Sequence, residues 1–129
     1  MKTIIIGGVA AGMSAAAKLR RLDKTADITV YEKGTDLSYS GCGMPYYLSD
    51  IVKEESELIA RYREDFEKNN IHVFLNCEVI AVNTDNKSIT ILDYLNQQES
   101  TDHYDKLIIA TGTKARRTNV PGSEIVNPY

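Results

Sequence analysis

Apolar positions along this chain follow two different rhythms. Thr3-Ile4-Ile5-Ile6 is a short β-branched run closed by Gly7 and Gly8, the pattern of a strand buried on both faces. Ala11 to Leu22 contains no proline and is rich in Ala, Met, Leu, Lys and Arg, which predicts a helix. Asp27 to Tyr31 predicts a second strand, ending at Glu32. Strand, helix and strand within about 30 residues make a βαβ unit, hence a parallel pair with a right-handed crossover. Residues 34–43 form a loop rich in Gly, Ser and Asp, and Pro45 suits the first turn of a helix running to about Val52. A polar helix over Tyr62 to Asn69 leads into a third strand, Ile71 to Leu75.

The rhythm then becomes alternating. Glu78 to Asn83, Ser88 to Asp93 and Ser100 to Tyr104 are separated by turn-forming segments around Thr84-Asp85-Asn86-Lys87 and Leu95-Asn96-Gln97, which predicts an antiparallel meander. Lys106 to Ala110 returns to a buried apolar strand and stops at Thr111-Gly112. Beyond it the chain is basic and turn-rich, with no core-forming pattern, and reads as a connection to a further segment. The fold class is α/β: a Rossmann-like parallel sheet with an antiparallel β-meander insertion.

Composition narrows the function classes. The 129 residues are 43% hydrophobic and 26% charged, an ordinary globular mix, with a net charge of −3. An acidic balance does not suit a nucleic-acid partner. The apolar stretch from Ile4 to Ala17 is broken by Gly7, Gly8, Gly12 and Ser14 and falls short of the roughly 20 residues a membrane span needs. A secretory leader is also not apparent, so the expectation is a soluble, cytoplasmic chain without membrane contact. His72 and His103 stand alone and the two cysteines lack zinc spacing, so no metal is expected.

Gly7-Gly8-Val9-Ala10-Ala11-Gly12 lies between the first strand and the first helix, where a dinucleotide fingerprint belongs. Gly7 permits the tight turn and Gly12 lets the helix press on the strand. The amides of the first helical turn can then face a pyrophosphate. Val9 replaces the middle glycine of the usual pattern. Glu32, 20 residues beyond Gly12, can accept ribose hydroxyls, and an acid there favours FAD or NAD over NADP. A glycine-rich turn without a ligand is the alternative. Ser14, Lys18 and Arg21 share one helix face, either as a phosphate-binding stripe or as a solvated surface.

Cys42 precedes a helix with Pro45 in its first turn, a positive potential that favours a thiolate. Five positions on stands Tyr47 and three on stands Pro45, so neither two-cysteine redox spacing is present. This thiol works alone or is simply a small packed residue. Cys77 reads as structural.

Taken in order, Ile-Ile-Ile-Gly-Gly-Val-Ala-Ala-Gly-Met-Ser-Ala-Ala, Tyr-Glu-Lys, Ser-Tyr-Ser-Gly-Cys-Gly-Met-Pro-Tyr-Tyr and Leu-Ile-Ile-Ala-Thr-Gly-Thr resemble the single-cysteine FAD-dependent pyridine nucleotide-disulfide oxidoreductases. That group comprises coenzyme A-disulfide reductases, NADH oxidases, NADH peroxidases and persulfide reductases. The resemblance implies that Gly7, Val9, Ala10, Ala11 and Gly12 wrap the FAD pyrophosphate and that Glu32 and Lys33 contact the adenosine half. It places the Val79 backbone at the adenine, and Ala110, Thr111 and Gly112 beside the flavin. It makes Cys42 the redox residue. Ser14, Lys18, Arg21, Ser38 and Gly41 match positions lining a coenzyme A site. Two positions depart from the coenzyme A-disulfide reductases: Gly41 stands where Asn is frequent, and Asn70 where a basic residue is found.

The resemblance also implies NAD(P)H as co-substrate, a disulfide, persulfide, oxygen or peroxide as acceptor, and a homodimeric longer protein. Residues 1–113 correspond to the N-terminal part of an FAD-binding domain and 114–129 to a connection towards an NADH-binding domain. This portion by itself is expected to be inactive. A stand-alone nucleotide-binding module without catalysis is the rival reading. A simple NAD-dependent dehydrogenase half fits less well, since it would continue in βα units where the meander stands.

Overall fold

The computed structural model describes residues 1–114 and 120–121. The reading of 114–129 as a connecting tail therefore lies almost wholly outside the described residues.

Strand β1 (Lys2–Ile6) is central because its residues are apolar on both sides. Ile5 points into a core built with Met13, Ala16, Ile28, Val30, Phe66, Ile71 and Val73, while Ile4 and Ile6 point into a second core with Tyr31, Cys77, Ile89 and Ile91. Successive strand side chains face opposite ways, so three adjacent isoleucines supply both cores. Ile4 and Ile5 are fully buried, each contributing about 1.5–3 kcal/mol of transfer free energy. Around β1 lie β2 (Asp27–Tyr31), β3 (Ile71–Phe74) and β7 (Lys106–Ile109), in the order β3-β2-β1-β7, all pairs parallel. Ile5 sits opposite Val30 on one side and Ile108 on the other.

Helix α1 (Ala10–Leu22) joins β1 to β2 and buries Gly12, Met13, Ala16 and Arg20. Arg20 is buried because it serves as an internal staple. Its guanidinium donates to the carbonyls of Lys24 (2.8 Å), Ala26 (2.6 Å) and Asn70 (2.7 Å), tying the end of α1 to the starts of β2 and β3. The helix expected from Pro45 to Val52 is shorter: α2 spans Met44–Leu48. Asp50 takes a left-handed φ of 59°, the Asp50 amide bonds the Tyr47 carbonyl, and the Ile51 amide bonds the Tyr46 carbonyl. That is the Schellman arrangement with Asp in glycine's usual place. Similarly α3 spans Arg63–Glu67, and the chain leaves through Asn70 at φ 54°.

The meander is present as β4 (Cys77–Asn83), β5 (Ser88–Asp93) and β6 (Gln98–His103), antiparallel in sequence order, with a bulge between Val79 and Ala81. Both of its turns use one device. The Asn83 carboxamide accepts the Asp85 and Asn86 amides, the Asp93 carboxylate accepts the Leu95 and Asn96 amides, and Lys87 and Gln97 take left-handed φ. Because Gln97 completes the second turn, β6 starts two residues earlier than the sequence pattern suggested.

Asp102 of β6 fastens the meander to the parallel sheet. It accepts the Tyr31 hydroxyl at 2.8 Å and the Lys2 ammonium at 2.6 Å. Burial pushes the Asp102 carboxyl up, but the hydrogen bonds from Lys2, Tyr31 and the His103 amide outweigh it and hold its pKa below the usual range. Burial, then Asp102, keep the Tyr31 phenol protonated far into alkaline solution. A carboxyl with a depressed folded-state pKa stabilises the protein above its unfolded pKa, and that contribution fades as pH falls through the folded value. Asp102→Ala is therefore expected to cost about 1–2 kcal/mol at neutral pH. The difference from the wild type should shrink in urea melts below about pH 4; a deficit independent of pH would contradict this role.

Candidate functional site

The C-terminal end of β1 runs into α1 through a turn that only small residues permit. Gly7 has φ 103°, and a Cβ there would lie 2.3 Å from the Ala110 carbonyl oxygen. A Cβ on Gly12 would meet the Gly7 carbonyl oxygen at 1.8 Å. Val9 occupies the N-cap position without a side-chain cap, and the first turn of α1 carries no acidic residue. The amides of Ala10, Ala11 and Gly12 are among the four at a helix start that have no intrahelical acceptor. A concave, glycine-lined backbone with free amides and no acidic side chain in the first helical turn fits a phosphate ester. The 13-residue length of α1 supports a full helix dipole behind it. Ala110 is brought onto this turn by its amide, which bonds the Ile6 carbonyl at 2.8 Å. Thr111 and Gly112 follow it and are exposed.

Glu32 is buried at the end of β2, and each carboxylate oxygen accepts a backbone amide: Gly8 at 2.6 Å and Gly34 at 2.8 Å. With Val9, Gly34, Thr35, Asp36, Tyr39 and others it lines a cleft of about 480 Å³. Lys33 beside it is exposed, and Val79 is half-buried at the bulge in β4. Sequence reasoning gave no role to Gly8, which is wedged so that a Cβ would lie 2.5 Å from Leu37 and 2.9 Å from the Glu32 Cβ. The doublet Gly7-Gly8 was the available signal.

Gly8 also connects the turn to the thiol. Its carbonyl accepts the Ser38 amide at 2.9 Å, and Ser38 takes a left-handed φ of 51° that redirects the chain. The Ser38 carbonyl accepts the Ala60 amide, the Ser40 amide bonds the Leu58 carbonyl at 2.8 Å, and Tyr39 and Ile59 form a bridge. The loop is thus pinned on both sides up to Cys42, which is exposed in a single 3-10 turn, Gly41–Gly43, leading straight into α2. Because α2 has five residues, the long helix dipole expected behind Cys42 is replaced by a near polar neighbour: the Ser40 hydroxyl, 3.4 Å from Sγ. Cys77 is the opposite case. It is buried, and burial, followed by the charge of Asp93, pushes its thiol pKa up.

Ser14, Lys18 and Arg21 lie exposed on one face of α1, and none of the three forms an ion pair with another described residue. Arg20, which sequence reasoning passed over, belongs to the buried series Met13, Ala16, Arg20, a helical period readable in retrospect. Gly41 is exposed, with open space where a Cβ would stand. Among the described residues, no cluster of His, Cys, Asp and Glu is arranged to hold a metal ion, and no helix is long and apolar enough to cross a membrane.

Known proteins share this fold. Residues 1–128 match the family described as pyridine nucleotide-disulphide oxidoreductase. A coenzyme A disulfide reductase of Staphylococcus epidermidis is 36% identical over 119 residues, covering 92% of this chain and 27% of the relative. The structure of an NAD-dependent persulfide reductase from A. fulgidus superposes with a TM-score of 0.89 at 36% identity, over 96% of this chain and 23% of that one. A water-forming NADH oxidase from Lactobacillus brevis, bound to NADH, gives a TM-score of 0.88 at 30% identity, over 95% of this chain and 27% of that one. This chain thus spans about a quarter of the length of these relatives.

The two glycines of contrasting surroundings give a direct check. Gly12→Ala is expected to destabilise the chain by about 2–4 kcal/mol, since backbone and helix must move apart. Gly41→Ala should change stability by no more than about 0.5 kcal/mol. Equal urea midpoints for the two variants would contradict the packing described.

Proposed function

This chain belongs to the pyridine nucleotide-disulphide oxidoreductase family, and we propose that it is the N-terminal FAD-binding part of a flavin- and NAD(P)H-dependent oxidoreductase that uses Cys42 as its redox thiol. Residues 1–113 form the first part of the FAD domain in this reading, and 114–129 lead towards a pyridine nucleotide domain. The observation that carries it is the hydrogen bond from the Ser38 amide to the Gly8 carbonyl. Through it the phosphate-binding turn and the thiol loop are one structural unit. A nucleotide-binding module without catalysis has no use for an exposed thiol pinned to its glycine turn.

The residues fit the cofactor. The amides of Ala10, Ala11 and Gly12 bind its pyrophosphate, with Gly7 and Val9 completing the turn. Glu32 and Lys33 serve the adenosine half, the Val79 backbone the adenine, and Ala110 to Gly112 the flavin side. When bound, FAD supplies hydride acceptance from a reduced pyridine nucleotide and release of an electron pair to sulfur. The protein's own task is to hold Cys42 where it can meet an acceptor. The Cys42 thiolate attacks one sulfur of a substrate disulfide, a mixed disulfide forms, and the other sulfur leaves as a thiolate.

Ser14, Lys18 and Arg21, with Ser38 and Gly41, suit an acceptor that carries phosphates, such as coenzyme A disulfide. The other acceptors open to a single cysteine are a persulfide, oxygen or peroxide. The free cysteines suit a reducing compartment, and we place the protein in the cytoplasm as part of a homodimer. In this reading the pyridine nucleotide binds the further domain towards which 114–129 lead, so this part by itself is inactive.

In the intact protein that carries this segment, Cys42→Ser is expected to leave flavin bound and to abolish NAD(P)H-driven disulfide reduction. A Cys42→Ser enzyme that reduces disulfides at the wild-type rate refutes the role of the thiol.

A further inference from the structure

Ser40 stands at the N-cap of the turn Gly41–Gly43 but does not cap it. A serine there ordinarily gives its oxygen to a backbone amide two or three residues on. Here Oγ lies 3.4 Å from Sγ of Cys42, its one hydrogen-bond partner among the described residues. The arrangement is held from three sides. The Ser40 amide bonds the Leu58 carbonyl at 2.8 Å, and the Ser40 carbonyl accepts the Gly43 amide at 2.9 Å. Gly43 leaves the space: a Cβ on it would lie 2.6 Å from Leu58 and 3.3 Å from the Ser40 Oγ.

We propose that Ser40 is a positioning residue for the redox thiol, its hydroxyl donating to the Cys42 thiolate and fixing the direction in which that sulfur faces. The inference rests on the reading of Cys42 as the reactive sulfur and adds to it a residue that the family resemblance did not mark. A hydroxyl can donate to a thiolate and can accept weakly from a thiol, so its larger effect is on the charged form. Because the backbone of Ser40 is pinned on both sides, little freedom is lost when the bond forms.

The test is alkylation of Cys42 by iodoacetamide in the 129-residue chain, followed by peptide mass so that Cys77 does not interfere. The thiolate forms the bond to carbon and iodide leaves, so the rate at a given pH follows the thiolate present. Ser40→Ala and Ser40→Gly are expected to slow the reaction at pH 7 about three- to tenfold. Ser40→Thr, which keeps the hydroxyl, should restore it. At pH 10, well above the pKa of an ordinary thiol, the variants should converge with the wild type. Wild-type rates in the two deletion variants at pH 7, or a deficit of equal size at pH 10, overturn the proposal. The two readings fail separately. If folded wild-type chain reacts no faster at pH 7 than the same chain unfolded in urea, Cys42 is an ordinary thiol and both fall. If the wild type is faster but insensitive to Ser40, only the role of Ser40 falls.

Discussion

The end of β2 depends on Glu32, which makes four hydrogen bonds from one residue. Its amide bonds the Phe74 carbonyl and its carbonyl accepts the Cys77 amide, both at 2.9 Å, so β2, β3 and the start of β4 meet there. Its carboxylate takes the amides of Gly8 and Gly34 at 2.6 and 2.8 Å. A buried carboxylate left unpaired would be strongly destabilising, and bonds to a charged acceptor are the stronger class. The glycine turn, the loop that follows β2 and the meander are therefore fixed by the same group. Gly8 passes the constraint on, because its carbonyl receives Ser38 and so sets the origin of the thiol loop. An acidic residue that a sequence reader assigns to a ribose is also the brace of the cradle that would hold the pyrophosphate.

The sheet explains why this bracing is affordable to so small a chain. β1 feeds two cores with alternate isoleucines, so the parallel sheet is covered by helices on one face and by the meander on the other. Asp102 closes the meander onto the sheet through Tyr31 and Lys2. The thiol loop enters the first core through Leu37. It is held by backbone pairing to residues 58–60 and by the burial of Leu37 and Leu58. That anchoring leaves Cys42 exposed on a fixed backbone, the condition a redox thiol needs.

Much of this was legible from residues alone. The triple isoleucine closed by glycines, the proline-free alanine-rich helix and the alternating runs after Glu78 each point to one local structure, and their order gave the sheet and the meander. What escaped has physical causes. Helix α2 ended early because Asp50 adopted a left-handed conformation that the pattern marks with glycine. Arg20 was hidden among other basic residues, and its burial depends on the carbonyls of Lys24, Ala26 and Asn70, the last from 50 residues along the chain. The Ser40–Cys42 contact depends on how Leu58 and Gly43 close the turn. Spacing cannot show that contact.

The proposed function stands on the glycine turn and the thiol loop together forming part of a flavin site. It is tested most directly by titrating the purified chain with FAD and following flavin absorbance and fluorescence. Saturable binding with a perturbed flavin spectrum is the expected result. A chain that is folded by circular dichroism, yet leaves the flavin spectrum unchanged at every concentration, would contradict the account.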